Sequence, residues 1–476
     1  MNDQQRQLAV TVVVRMNVGP STNTYLSNRM FMIFRSFLMV VAVALAVSGC
    51  AETSRPEATG KGNLRGINAI LQSPDIGFLV EERLQGAMNY KDTATRRIDD
   101  LDYTINFEAR LAGDVLSTRI ASQHVDVVAN TEYLFALTGS LSAPTLLTAE
   151  YPERQWSGSE TVFEARSLHL ATSAGDLDVY LDAPGTAPVP GEARATAVYG
   201  ELSAPFELAA GDYELILTTK DDPLDIRYRS RTFSQIGATS VIFSVFDPDP
   251  SITGDLSVRA MGAGNQSTEL VDQDNPPTLR LVHAAFATGN VDMYSNDDFT
   301  TPLVNDLGFS ELTADFDFET DIVPVTFTPT GDTGVLLLED SLSVAAGSRN
   351  TAFLVGKPAE LNALVFPDSR RPIETLARWR LTHVASNVPA VDVYIYLDSE
   401  DIADILPRLF SLPFLATSGY IENRLADTYQ IAVTLPNEKD VIAGPVEIDL
   451  ALGNIVEMAL LDTVDPNLFD IVIYDN

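Results

Sequence analysis

Three histidines and three aspartates recur in this chain at one fixed spacing. His169 precedes Asp178, His283 precedes Asp292 and His383 precedes Asp392, each by nine residues. A histidine oriented by an aspartate is the acid–base half of many nucleophilic active sites, so the first chemistry to weigh is general-base catalysis. Two things weigh against it. No serine sits in a G-x-S-x-G elbow to complete a nucleophilic set, and a working active site seldom recurs in three consecutive segments of one chain. The spacing instead predicts a structural pair, with His and Asp on neighbouring strands bonding to each other to lock a crossover.

The pair belongs to a longer cassette. Arg166, His169, Asp178 and Tyr180 are matched by Arg280, His283, Asp292 and Tyr294, and again by Arg380, His383, Asp392 and Tyr394. An eroded copy stands at the front, where Arg65 leads to Asn68 in the histidine place and Gly77 in the aspartate place. The starts Arg65, Arg166, Arg280 and Arg380 lie 101, 114 and 100 residues apart. Periods of that size mark whole domains, well above the 20 to 50 residues of solenoid repeats.

Each copy reads as β. Apolar and polar residues alternate in the stretches beginning at Tyr103, Tyr213 and Tyr429, as in half-buried strands, and an acidic turn introduces each. Those tyrosines have the pattern of a tyrosine corner. Asn130, Gly237, Gly347 and Gly453 stand at hairpin turns that need positive φ. About seven short strands per hundred residues predict tandem antiparallel β-sandwiches, Ig-like or transthyretin-like, over residues 64–150, 160–250, 276–362 and 376–476. Residues 151–160, 247–277 and 366–372, rich in proline and acid, read as linkers. A helical turn is expected over residues 401–406, before Pro407.

The cassette, with the later Gly-Asp-Tyr strand, resembles the bacterial domain of unknown function 4397. The second and fourth copies match best, through Arg166 to Tyr180 with Tyr213 and through Arg380 to Tyr394 with Tyr429. The third copy lacks the later tyrosine, and the first lacks His and Asp. The resemblance implies sandwich domains of cell-envelope proteins, often lipid-anchored and in tandem, with no established activity or catalytic residues.

The N-terminal region says where such a protein would sit. Residues 37–47 form an unbroken apolar run of about eleven residues after Arg35, too short for the roughly 20 that a spanning helix needs. It has the shape of a signal peptide over residues 30–49. It ends in Val47, Ser48, Gly49 and Cys50, which resembles the lipobox of bacterial lipoproteins. That resemblance implies a diacylglyceryl, N-acylated (palmitate-bearing) Cys50 anchored in the membrane. Ala51 in the following position implies sorting to the outer membrane of a Gram-negative cell. Residues 1–29 read as an over-extended gene start, and residues 50–63 as the lipidated cysteine with a polar tether.

Bulk properties narrow the partners. The 476 residues exceed a single core, and 45% hydrophobic content predicts a folded chain. A net charge of -35 repels nucleic acid and anionic lipid surfaces. Neither a Walker nor a dinucleotide-binding glycine loop occurs, so nucleotide use has no support. Cys50 is the single cysteine, which rules out an intramolecular disulfide, and four histidines (the fourth is His124) spread over separate domains cannot converge on zinc. No cofactor is expected beyond a weak calcium option at the acidic pairs Asp247/Asp249 and Asp272/Asp274. The expected role is non-catalytic: binding, adhesion or spacing, with a glycan or another envelope protein as partner and the variable loops 182–199 and 398–420 as the first place to look. The alternative is an envelope-assembly scaffold subunit.

Overall fold

The computed structural model describes residues 57–295, 298–318 and 320–474. Cys50, Val47, Ser48 and Gly49, with the signal peptide and the proposed gene start, lie outside the described residues. Among the described residues no helix is long and apolar enough to cross a membrane. Among the described residues all regular structure is β, arranged as eight open sheets stacked in four sandwiches. The polar tether is shorter than the sequence suggests: the first strand, Lys61–Asn68, already includes its last three residues, and Asp100 holds Thr59 and Gly60 through their backbone N–H groups.

One strand organises each sandwich, and it carries the cassette's Arg and His (Arg65 and Asn68 in the first). Lys61–Asn68 pairs in parallel with Thr131–Ser140, and Val162–His169 with Ser240–Phe246. Thr278–His283 pairs likewise with Arg349–Lys357, and Ala377–His383 with Ile455–Asp462. All other pairings between named strands are antiparallel, so each sandwich contains one parallel contact inside an otherwise antiparallel fold. The Asp and Tyr of the cassette lie on the next strand, in the opposite sheet, whose centres are Ile76–Val80, Leu177–Asp182, Val291–Ser295 and Ala390–Tyr396.

The Arg/His strands are buried on both faces. In Thr278–His283 every residue is buried, and the same holds in Ala377–His383. Alternation explains how. Leu279, Leu281 and Ala285 enter the core of the third sandwich, while Val282 and Ala284 enter a second cluster shared with Val384, Ala459 and Leu461 of the fourth. Leu64 and Ile70 likewise enter the first sandwich's core, whereas Ile67 and Ala69 pack with Leu168, Leu170 and Phe246 of the second. The sandwiches are therefore joined in two back-to-back pairs, first with second and third with fourth.

The expected linkers are largely structural. Residues 247–277 contain the strands Ser257–Met261 and Ser267–Leu270, which extend a sheet of the second sandwich to five strands. This hairpin is strapped to the first sandwich by Lys91–Glu269 at 2.8 Å and Arg259–Asp92 at 2.8 Å, and Asn265 Oδ1 accepts from the Thr95 N–H at 2.7 Å. In the segment between the third and fourth sandwiches, Arg371 donates to the carbonyls of Leu71 (2.7 Å) and Ser73 (3.0 Å) in the first. Residues Ala58–Asn476 accordingly form one compact unit. The helical turn expected at 401–406 is a hydrogen-bonded turn instead, with Lys439 Nζ donating to the Ile402 carbonyl at 2.7 Å.

Candidate functional site: the cassette and the two interfaces

His and Asp of the cassette do not bond to each other. The histidine lies on the core-facing parity of its strand, between positions such as Ala165 and Ala171, and the aspartate lies on the outer parity of the opposite sheet, flanked by the core residues Leu177 and Val179. The aspartates and the histidines of the second and third copies serve backbone groups separately, whereas both ring nitrogens of His383 are buried and meet no partner within hydrogen-bonding geometry. His169 Nε2 donates to the Gly175 carbonyl at 2.9 Å and its Nδ1 accepts from the Ala171 N–H at 3.3 Å. His283 repeats this with Gly289 at 2.7 Å and Ala285 at 3.3 Å. A ring that donates at one nitrogen and accepts at the other is neutral. Burial lowers the pKa of all three histidines, that of His383 to about 4.

Asn68 does the same work in the first sandwich. Its Oδ1 accepts from the Ile70 N–H at 3.0 Å, two residues on, as the histidine Nδ1 does, and its Nδ2 donates to the Met88 carbonyl at 3.1 Å and to Ser73 Oγ at 2.8 Å. The front copy is thus chemically conservative at this position. A carboxamide offers the acceptor and donor that a neutral imidazole offers.

The aspartates staple turns. Asp292 accepts from the Asp306 N–H at 2.8 Å and the Gly331 N–H at 3.0 Å, and Asp392 from Ser411 at 2.7 Å and Asn437 at 2.9 Å. Asp178 accepts from Thr196 Oγ1 at 2.9 Å and the Asp221 N–H at 2.9 Å. Tyr180, Tyr294 and Tyr394 are buried beside them. Tyrosine corners form at Tyr213, which donates to the Ala209 carbonyl at 2.6 Å, and at Tyr429, which donates to Leu425 at 3.2 Å. In the first sandwich Tyr133 makes an analogous bond to the Asp126 carbonyl at 3.1 Å. Positive φ occurs at Asn130, Gly347 and Gly453, but in the second copy at Ala238. Gly237 is needed there for space, because a Cβ would lie 2.3 Å from the Glu160 carbonyl oxygen.

The acidic pairs also spend their oxygens internally. Asp247 accepts from the Thr172 N–H and Oγ1 and the Ser173 N–H at 2.8 to 3.0 Å, capping the loop that follows His169. Burial alone would raise its carboxyl; these bonds outweigh burial and hold it below the usual range. Asp272 accepts from the Asp274 N–H and from Asn275 Nδ2, and burial raises its carboxyl. No cluster of three or more metal-ligating side chains occurs among the described residues. His124 is exposed on its strand, 3.2 Å from Asp126.

The arginines are the part of the cassette whose role the sequence leaves unread. All four sit on the interface-facing parity of their strands, as Ile67, Leu168, Val282 and Val384 do. Between the third and fourth sandwiches Arg280 and Arg380 converge on two buried carboxylates. Glu457 lies 2.8 Å from Arg280 and 2.7 Å from Arg380, and Asp368 lies 3.3 Å and 2.8 Å from them. Thr351 Oγ1 and Tyr420 OH add donors to the same two acids. Burial alone would lower the pKa of Arg380, but Glu457, Tyr420 and Asp368 raise it above its ordinary value.

Between the first and second sandwiches the same positions hold no acid. Arg380 is paired across its sheet with Glu457, whereas Arg166 is paired with Ile242. Arg280 faces Thr351, which faces Phe366, two residues before Asp368; Arg65 faces Leu134, which faces Ala149, two residues before Tyr151. Ile242 and Tyr151 thus stand where the other pair has Glu457 and Asp368. Arg166 stacks on Tyr151 at 4.5 Å and donates to the Ser203 carbonyl at 3.1 Å, with Glu164 3.5 Å from its Nε. Arg65 donates from Nη2 to the Gly262 carbonyl at 2.6 Å, while its Nε and Nη1 are buried without a hydrogen-bond partner. Burial lowers its pKa. A cleft of about 480 Å³ opens beside it, lined among others by Asn63, Tyr151, Trp156, Gln235 and Gln266. Neither of the loops 182–199 and 398–420 contributes to that cleft.

The family described as Domain of unknown function (DUF4397) matches residues 277–394. The match begins at the Arg/His strand of the third sandwich and ends within the Asp/Tyr strand of the fourth, so it spans two of the cassettes. No curated protein matches the chain. Among solved structures, "Alpha-glucan binding by a streptococcal virulence factor" aligns at 14% identity with a TM-score of 0.18, over 42% of this chain and 97% of that one.

Proposed function

We propose that this is a cell-envelope protein, anchored through lipid on Cys50, whose paired sandwiches serve a non-catalytic binding role toward a glycan or another envelope protein. One observation carries the reading. The residues best suited to catalysis are withheld from any substrate: the Nε2 protons of His169 and His283 bond carbonyls within their own loops, His383 is fully buried, and Asp292 and Asp392 are filled by turn N–H groups. A general base needs a free nitrogen facing a substrate. Anchoring follows from the run that ends at Cys50, and an outer-membrane address from Ala51.

Three measurements test it. Cys50→Ala should move the protein from the membrane to the soluble fraction and abolish labelling by palmitate; retention of both overturns the anchor. Purification from detergent-solubilised membranes separates the roles: retention on glycans supports binding or adhesion, and a stoichiometric protein partner supports an assembly scaffold. Hydrolysis lost on replacing His169, His283 or His383 in a correctly folded chain would overturn the non-catalytic reading.

A further inference from the structure

We propose that the cleft between the first and second sandwiches binds an acidic sugar, whose carboxylate takes the place that Glu457 and Asp368 hold between the third and fourth. The proposal rests on the binding role given above and names a ligand class for it.

Arg65 carries a buried charge with no carboxylate in contact with it among the described residues. The four cassette arginines occupy equivalent positions, but only Arg280 and Arg380 have buried carboxylates between them. Arg65 is 7% exposed, has no carboxylate within 4.0 Å among the described residues, and leaves two guanidinium nitrogens unbonded. Burying an unpaired cation is costly, and a site that keeps one beside an open cleft is built to receive an anion. A guanidinium fork matches a carboxylate geometrically, in one plane and with two bonds.

The surrounding charges do not already fill that role. Of the three acids that line the cleft, Glu153 is engaged by Arg97 at 2.7 Å and Glu132 accepts from Asn63 Nδ2 at 2.7 Å. Glu164 lies between Arg154 and Arg166 at 3.6 and 3.5 Å. Each has its direct contact with a partner other than Arg65; the Glu132 charge acts on the Arg65 guanidinium only across space, and burial outweighs it.

The rest of the lining suits a sugar. Trp156 stands half-buried at the rim, stiffened by Arg154 stacked at 4.1 Å and by its Nε1–H donated to Ser240 Oγ at 3.2 Å. Gln266 brings a planar amide that bonds hydroxyls in both directions, and Asn63 and Gln235, whose nitrogens donate to Glu132 and Thr239, bring carbonyl oxygens that accept from them. An aromatic platform, several amides and one buried cation are the groups a pyranose carboxylate requires. The volume is also in the range of small-ligand sites. The hairpin Ser257–Met261/Ser267–Leu270 supplies the far wall through Gly262 and Gln266. This gives the inserted strands a purpose beyond bracing the two sandwiches.

The test is titration calorimetry on the purified full chain with D-glucuronate, D-glucose and acetate. Glucuronate should bind, with glucose and acetate each at least tenfold weaker. Arg65→Met should weaken glucuronate at least tenfold, and because that change touches a buried interface, Trp156→Ala provides the rim control: tenfold weaker binding at an unchanged unfolding temperature. Tyr151→Asp places a carboxylate where the third sandwich has Asp368, and should abolish glucuronate binding while raising the unfolding temperature. Absence of glucuronate binding, equal binding of glucose or acetate, or unaltered affinity in either Arg65→Met or Trp156→Ala overturns the proposal. Membrane release on Cys50→Ala reports separately on the anchored role, so the two readings fail independently.

Discussion

The two sandwich pairs solve one packing problem with different chemistry. Between the third and fourth, Arg280 and Arg380 are neutralised by Asp368 and Glu457, all deeply buried, inside a ring of apolar contacts that includes Phe353 and Val384. Between the first and second, Arg65 and Arg166 stay in place while the acids give way to Tyr151 and Ile242, and a cleft opens at that point. A repeat therefore preserves the strand and its arginine but not the electrostatic closure. Where closure is complete both guanidinium groups meet carboxylates; where it is missing, Arg65 keeps two nitrogens without a hydrogen-bond partner.

The largest expected effect breaks the closed interface. Glu457→Ala leaves Asp368 alone to neutralise two buried guanidinium groups and should destabilise the chain by about 3–5 kcal/mol in denaturant unfolding, whereas a loss below about 1 kcal/mol would mean the pair is not closed by charge. The apolar counterpart is Phe246, which packs edge-on to Tyr90 at 5.9 Å between the first and second sandwiches. Phe246→Ala should cost about 3–4 kcal/mol and be insensitive to salt, since only burial is lost.

A pH series compares the histidine copies with the asparagine one. His383 has a folded pKa of about 4 against roughly 6.5 unfolded, so it contributes stability above pH 6.5 that is lost as the pH falls toward 4. The size is roughly 3 kcal/mol across that window. His383→Asn gives the fourth sandwich the residue type of the first and should remove that part of the slope; an unchanged difference between pH 7 and pH 4 would overturn the assignment. The smallest effect expected is that of Asp392→Ala, which takes two backbone N–H groups from their acceptor and should cost about 1–3 kcal/mol. Equal stability would place the fourth sandwich's turns on the same footing as those of the first, where Gly77 provides no such acceptor.

Several elements were legible in the chain itself. Four repeats, an all-β fold and the tyrosine corners at Tyr213 and Tyr429 follow from period, alternation and turn residues, because each is set by local backbone preference or by spacing along the chain. The double burial of the Arg/His strands also had a signal, unused, in runs such as Leu279, Leu281 and Val282, where both parities are apolar. The misread partner of His169 has a plain cause. Constant spacing shows that two positions belong to one repeat, but consecutive strands in a sandwich lie in opposite sheets, and one residue of parity decides whether their side chains meet. The hairpin hidden in residues 247–277 was masked by prolines and acids at its ends, with the short alternating strands between them.

The sequence by itself determined the modules: their number, their β character, the residues that frame each one, and the apolar run ending at Cys50. Packing settles which sandwiches join, that His and Asp do not meet, and that Arg65 lacks the acids that Arg280 and Arg380 share. The physical reason is distance along the chain. Alternation and turn chemistry act over a few residues, whereas Arg280 and Glu457, or Arg65 and Gly262, are brought together only when separate sheets bury their outer faces against each other.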